Sequence, residues 1–217
     1  MKIAVLGTGG VGRTIATKLV ELGHEVTMGS RSAEGEALRE WLDETGEAAD
    51  GGTFAGAAAG AELVFNCTAG EASLAALAAA GTDNLASKVL VDVANPLDFS
   101  QGMPPTLTVC NDDSLGEQIQ AAFPAARVVK ALNTVNAGVM TDPGRLPDAH
   151  NVFLCGNDEE AKATVGELLQ SFGWPPEAIV DLGEIGAARG TEMYLPLWLR
   201  LMGALGTAEF NIQIRVP

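Results

Sequence analysis

Short apolar runs alternate with helix-patterned stretches along almost the whole chain. Lys2–Leu6 is a continuous apolar run ending at glycine, which predicts a strand covered on both faces. Val11–Leu22 has apolar residues at helical spacing and predicts an amphipathic helix. The alternation continues with a strand at Glu25–Met28, a helix over Ala33–Glu44, a strand at Glu62–Asn66, a helix over Glu71–Ala80 and a strand at Lys88–Val93. Further on, Ser114–Ala122 predicts a helix, Arg127–Leu132 and Asn151–Cys155 strands, Glu159–Phe172 a helix and Ile179–Leu182 a short strand. Gly46–Gly60 is rich in small residues without a period and reads as a loop with a short strand near Phe54. Gly102–Pro105 reads as a loop, and Thr141–Ala149 holds the turn signals Asp-Pro-Gly and Leu-Pro-Asp. Glu184–Leu205 predicts a long helical region containing Pro196. Phe210, Ile212 and Ile214 alternate with Asn211, Gln213 and Arg215, which predicts a closing half-buried strand.

Strands alternating with helices build a mostly parallel sheet with right-handed crossovers. The expected fold class is therefore α/β, a Rossmann-type doubly wound sheet with a small C-terminal helix-strand cap. Residues 1–217 suit one nucleotide-binding domain, with the cap at about residues 184–217 inside it.

Composition narrows the partners. The hydrophobic fraction of 47% supports a real core, and 19% charged residues is ordinary for a globular protein. The net charge of −15 argues against nucleic acid or an anionic membrane surface, which both select basic patches. The most apolar late stretch, Met193–Leu205, is interrupted by Pro196 and Arg200, and the opening residues are too short for a signal peptide. The expectation is a soluble, cytoplasmic protein. Cys67, Cys110 and Cys155 form no Cys-x-x-Cys pair, and each closes an apolar run, so all three read as reduced, buried strand-end residues.

Gly7-Thr8-Gly9-Gly10-Val11-Gly12 matches G-x-G-x-x-G between a buried strand and an amphipathic helix. Gly7 permits the tight turn, Gly9 lets the backbone approach a pyrophosphate, and Gly12 allows helix and strand to pack closely. The free N–H groups and positive dipole end of the helix then hold the phosphates. At the end of the second strand an NAD site places Asp or Glu for the ribose hydroxyls. Here the chain has Gly29-Ser30-Arg31-Ser32. A guanidinium clamps an extra phosphate in a charge-assisted fork, and the hydroxyls of Ser30 and Ser32 can donate to it, so the site reads as one for NADP(H).

Ligands in such sheets lie across the carboxyl ends of the strands. That brings in Cys67, Thr68 and Ala69, then Ala94, Asn95 and Pro96, then Asn133, Thr134, Val135 and Ala137. All are small, neutral or polar, and none is an evident general base. His24 sits in a turn at the opposite end of the sheet, and His150 precedes a strand, so both read as structural or surface residues. Asp112-Asp113 reads as a helix N-cap and Asp158-Glu159-Glu160 as an acidic first helical turn. No metal-ligand cluster, nucleophile–base arrangement or carboxylate pair stands out. An NADP(H) site without acid or base suggests hydride transfer governed by positioning of two flat rings and exclusion of water.

These pieces resemble the NADP oxidoreductases dependent on the 5-deazaflavin coenzyme. The resemblance is carried by Gly7–Gly12, by Leu22-Gly23-His24-Glu25-Val26 leading into Gly29-Ser30-Arg31, and by Val128-Val129-Lys130-Ala131-Leu132-Asn133-Thr134. It continues through Leu154-Cys155-Gly156-Asn157-Asp158, Asp181-Leu182-Gly183, and Ala188-Arg189 with Glu192. It implies a homodimer exchanging hydride between NADPH and a deazaflavin or flavin. Ser30 and Arg31 would hold the 2′-phosphate, and Thr134, Val135 and Ala137 would lie against the nicotinamide and the second ring. The deazaflavin enzymes tend to carry His where this chain has Asn133. The Asn-Thr version also occurs in the related oxidoreductase domains of membrane ferric reductases, which use an ordinary flavin. The alternatives are an NADP-dependent imine or carbonyl reductase and a non-catalytic NADP(H) sensor. Met193–Leu205 reads as a core helix with part of its surface in a dimer interface.

Overall fold

The structure is a computed structural model that describes residues 1–46 and 48–217. Its elements in chain order are β1 (Lys2–Leu6), α1 (Gly10–Glu21), β2 (Glu25–Ser30), α2 (Glu36–Thr45), β3 (Ala49–Thr53), α3 (Phe54–Gly60), β4 (Leu63–Asn66), α4 (Gly70–Ala80), α5 (Thr82–Leu85) and β5 (Val89–Asp92). They continue with β6 (Leu97–Asp98), β7 (Thr106–Leu107), α6 (Leu115–Ala122), β8 (Arg127–Ala131), α7 (Ala137–Thr141), β9 (Val152–Gly156), α8 (Glu159–Ser171), β10 (Ile179–Asp181), α9 (Ala188–Met193) and α10 (Leu195–Leu205). The main sheet runs β10-β9-β8-β5-β4-β1-β2-β3. Neighbours are parallel except at β8–β9, where the pairing turns antiparallel. This is the expected doubly wound, mostly parallel α/β sheet.

Alternation along β1 sorts the core into two layers. Ile3 and Val5 face Ile15 and Leu19 of α1 and Trp41 of α2, while Ala4 and Leu6 face Ala57 of α3 and Leu77 of α4. Each fully buried aliphatic side chain of this kind is worth about 1.5–3 kcal/mol. The alanines of α3 and α4, which show no period in sequence, are small enough to let these two helices pack together on the second face.

Several expectations need correction. The predicted loop at 46–60, apart from Glu47, which lies outside the described residues, folds as β3 and α3. β3 gains its order from pairing with β2 over Val26–Ser30, and Thr53 caps α3 by accepting the Gly56 N–H. The chain after β5 forms the small β6–β7 hairpin. Glu184–Leu205 is not one helix: α9 and α10 meet at Tyr194, with Pro196 in the first turn of α10, where its missing N–H costs nothing. α10 is not a core helix. Leu195 is buried, but Leu197 is 56% and Leu205 57% exposed.

The closing strand at 210–214 does not form. Its backbone meets that of one residue beside β9, through Asn151 N–H to the Ile212 carbonyl, while Ile214 N–H bonds Asn151 Oδ1, Asn211 bonds His150 and the Asn151 carbonyl, and Phe210 stacks on Trp198. One residue is no ladder. Ser114, not Asp112 or Asp113, caps α6 by accepting from Glu117 N–H. Glu159 and Glu160 stand in the first turn of α8 as expected, while Asp158 precedes it as the cap, accepting the Ala161 N–H. The three cysteines are free, but Cys67 and Cys110 are only half-buried. Cys155 lies within β9, where burial pushes its thiol up to about 12. His150 packs edge-on against Trp174, a structural role.

Candidate active site

Two clefts open at the carboxyl ends of the strands. The larger, about 930 Å³, is lined by Gly7, Thr8 and Gly9, by Ser30, Arg31 and Ser32, and by Thr53 and Phe54. The second, about 540 Å³, is lined by Gly10, Val11, Val93, Ala94, Asn95, Asn133, Thr134, Val135 and Ala137. Cys67, Thr68 and Ala69 line both, so the clefts meet over the end of β4.

The glycines divide by what demands them. Gly7 sits at φ +119, and a Cβ on Gly12 would fall 2.1 Å from the Gly7 carbonyl oxygen. Both are required by the fold itself. A Cβ on Gly9 would meet no protein atom within 4 Å, so its lack of a side chain answers to something that sits against it. Gly9 is also the N-cap of α1, with no side-chain cap, which leaves the first N–H groups of the helix for an anion. Arg13 braces this loop. Its Nε donates to the Thr8 carbonyl at 3.2 Å, and its Nη2 to the Ala37 carbonyl and Glu40, each at 2.7 Å.

Ser30, Arg31 and Ser32 stand together on the rim of the larger cleft. Arg31 is exposed and makes no salt bridge among the described residues. The Ser30 hydroxyl bonds within its own turn, donating to the Ser32 carbonyl and accepting from Ser32 N–H. The hydroxyl donor facing the rim is thus that of Ser32 rather than both. These groups and the uncapped α1 terminus fit a dinucleotide with an added 2′-phosphate.

The floor of the second cleft is rigid. Asn133, Thr134 and Val135 are each at most 5% exposed. Leu132, just before them, is held at φ +64, a region that costs a branched side chain on the order of 1 kcal/mol. Asn95 Nδ2 donates to the Asn133 carbonyl and Asn133 Nδ2 to Asn95 Oδ1. Among the described residues, the titratable groups that line this cleft are Cys67 and Glu71. Burial, seconded by the Asp92 charge, pushes the Cys67 thiol far above its ordinary range, so it stays protonated. No metal-binding group of three or more His, Cys, Asp or Glu exists among the described residues.

Of the predicted site residues, Pro96 lies outside both clefts, and its carbonyl holds the β6–β7 hairpin through Thr108 N–H. Gly12 acts from beneath. The sequence reading missed the apolar walls, which come from distant segments: Leu97 and Phe99 in the β6–β7 hairpin, Met140 on α7, and Leu195 and Trp198 on α10. It also missed the buried cluster of Asp92, Lys130 and Glu192 under the site. Lys130 was visible as the charged residue inside an apolar strand, but its partners were not. Burial works against the Lys130 ammonium, yet Asp92 and Glu192 outweigh it and hold it above its ordinary value.

Residues 2–96 match the family described as NADP oxidoreductase, coenzyme F420-dependent. The F420-dependent NADP reductase of Methanocaldococcus jannaschii is 30% identical over 210 residues, covering 93% of this chain and 92% of that protein. The chain belongs to this family. A crystal structure from Arthrobacter sp. FB24, named as a candidate F420-dependent NADP reductase, superposes with a TM-score of 0.94 at 58% identity over the whole of both chains. The rat metalloreductase STEAP3 is 33% identical over 205 residues. Those residues are 91% of this chain, which spans only 38% of that relative. Family membership makes the chain an NADP-dependent oxidoreductase, and the Rossmann architecture is the one the sequence implied. Among the described residues no helix is long and apolar enough to cross a membrane.

Proposed function

We propose that the chain transfers a hydride between NADP(H) and a deazaflavin or flavin coenzyme. The observation that carries this reading is the second cleft, joined to the dinucleotide cleft at Cys67, Thr68 and Ala69. Its volume of about 540 Å³ suits a flat multi-ring ligand. A bound nicotinamide would supply or take up the hydride. The protein's part is placement. The α1 terminus and Gly9 receive the pyrophosphate, while Arg31 and Ser32 take the 2′-phosphate. Asn133, Thr134, Val135 and Ala137 form the floor under the rings. Val93, Leu97, Phe99, Met140, Leu195 and Trp198 exclude water from the gap between them.

A carbonyl or imine reductase would need a proton donor for the heteroatom. The cleft offers a thiol that stays protonated and one carboxylate, which supports ring-to-ring transfer better. The exposed Leu197 and Leu205 of α10 support self-association, to be read as a dimer against a monomer by size-exclusion chromatography.

Stopped-flow absorbance of NADPH with the deazaflavin coenzyme, FMN or FAD as acceptor tests the reading. Oxidation with the deazaflavin alone fixes that coenzyme as co-substrate, and oxidation with FMN or FAD alone makes the protein a flavin reductase. Tight NADPH binding with no acceptor reduced sinks the proposal in favour of a sensor.

A further inference from the structure

We infer that Glu192 is a positioning residue for hydride transfer: acting through the buried ammonium of Lys130, it fixes the apolar wall of the second cleft relative to its floor. This rests on the ring-to-ring reading for its consequence in turnover, though not for its geometry. Glu192 lies on α9, outside both clefts, and is 1% exposed. Its Oε2 accepts the Leu115 N–H at 2.8 Å and its Oε1 the Gly116 N–H at 3.0 Å, which pins α9 to the first turn of α6. The same Oε1 stands 2.7 Å from Lys130 Nζ.

Lys130 has three N–H donors and all are spent. They go to Glu192, to Asp92 Oδ2 at 2.7 Å and to the Ala94 carbonyl at 2.5 Å. Asp92 Oδ1 accepts the Ala94 N–H at 3.2 Å and Asn66 Nδ2 at 2.8 Å. Ala94 is therefore held by both its backbone groups, and it carries Asn95, which locks Asn133. Asn66 Oδ1 in turn accepts the Thr68 hydroxyl at 2.7 Å. One buried cluster thus touches the loop after β4, the loop after β5 and the cap.

On the other side, Leu195 and Trp198 stand three and six residues beyond Glu192, in the first turns of α10, and both line the second cleft. α10 itself is mostly exposed, and besides its junction with α9 it is braced where Trp198 stacks on Phe210 of the C-terminal segment. The charged link fixes direction as well as distance. Two carboxylates, one ammonium and two helix N–H groups satisfy one another in a single arrangement, which an apolar contact would not specify. A residue that only stabilised the fold could sit anywhere in the core. This one joins the two surfaces between which a ring would lie.

The test uses Glu192→Gln, which removes the charge at nearly constant shape and keeps one oxygen, enough to accept from one of the two α6 N–H sites. NADPH affinity should stay within about threefold, because none of the direct partners of Glu192 lines the dinucleotide cleft, while kcat falls roughly ten- to a hundredfold, as misplacement by a fraction of an ångström to an ångström costs. The deuterium isotope effect from NADPH labelled at C4 should change with it. Energy transfer from Trp198 to bound NADPH should fall, with Trp198→Phe marking the baseline from Trp41 and Trp174, which line neither cleft. A variant that melts earlier yet keeps wild-type kcat, isotope effect and energy transfer overturns the inference. If Glu192→Gln does not fold, the triple exchange Asp92→Asn, Lys130→Met, Glu192→Gln removes all three charges at conserved volume, and the same readouts decide. Energy transfer needs NADPH only. If the wild type reduces no ring acceptor, the functional reading fails while this measurement still judges the positioning of the wall.

Discussion

Asn95 and Asn133 clasp each other across the floor of the second cleft, side chain to backbone at 2.8 Å and side chain to side chain at 2.9 Å. The exchange uses one N–H of each amide and joins the loop after β5 to the loop after β8. Asn95→Ala removes both bonds and leaves the buried Asn133 amide without its partner, at a cost of about 1–3 kcal/mol. Because both residues line the second cleft and neither lines the dinucleotide cleft, the loss should appear in kcat more than in the Kd for NADPH. Single-turnover kinetics beside NADPH titration checks the split.

The cleft chemistry predicts a flat pH profile. Cys67 stays a thiol, and no histidine lines the cleft. kcat for flavin or deazaflavin reduction should therefore vary by less than about twofold between roughly pH 6.5 and 8.5, without the bell of an acid–base pair. A steep limb near neutrality, abolished by Cys67→Ala, would show that the thiol takes part.

Arg31 should decide between the two dinucleotides. A charge-assisted bond to phosphate is worth about 1.5–3 kcal/mol, so Arg31→Ala should raise KM for NADPH about ten- to a hundredfold. KM for NADH should hardly move, since NADH has no group there for the guanidinium. Steady-state kinetics with both cofactors measures the ratio, and equal losses would mean Arg31 serves the fold.

What the sequence revealed follows from how local each demand is. Gly7, Gly9 and Gly12 stand within six residues because one turn and one helix terminus impose them. Arg31 is legible because the acid usual at that strand end is missing. β3 was not legible: Ala-Asp-Gly-Gly-Thr has little strand propensity and is ordered by β2 beside it. The predicted strand at 210–214 had the right alternation, but among the described residues its backbone meets that of Asn151 alone, which makes no ladder. Lys130 and Glu192 are 62 positions apart, and no period or spacing links them. The same holds for Phe99 and Trp198, which share a cleft only because the β6–β7 hairpin and α10 converge.

Two glycine substitutions should separate ligand from fold. Gly9→Ala meets no protein atom within 4 Å, so its melting temperature should match the wild type while NADPH affinity drops at least about tenfold. Gly12→Ala puts a methyl 2.1 Å from the Gly7 carbonyl oxygen and should cost about 1–3 kcal/mol of stability through forced backbone movement. Thermal melts with and without NADPH distinguish them. A destabilised Gly9→Ala would mean the loop needs that glycine for itself.

Stability should fail on the alkaline side. Cys155 has its folded pKa raised from 9.0 to about 12, and Lys130 is raised above 10.5. A raised folded pKa stabilises the protein fully below the unfolded value and loses that stabilisation as pH climbs toward the folded one. The melting temperature should therefore hold steady from neutrality to about pH 9, the thiol's unfolded value, then fall, with a further loss above about 10.5 from Lys130. The Cys67 thiol, raised from the same starting value, contributes to the same fall, so Cys155→Ala should make it shallower without moving its onset. Lys130→Met behaves differently, because it leaves two buried carboxylates without their counter-ion, and it should cost about 3–5 kcal/mol at neutral pH. Melts of the three proteins across this range test the signs, and a Lys130→Met variant as stable as the wild type at neutral pH would show that the buried cluster contributes nothing to the fold.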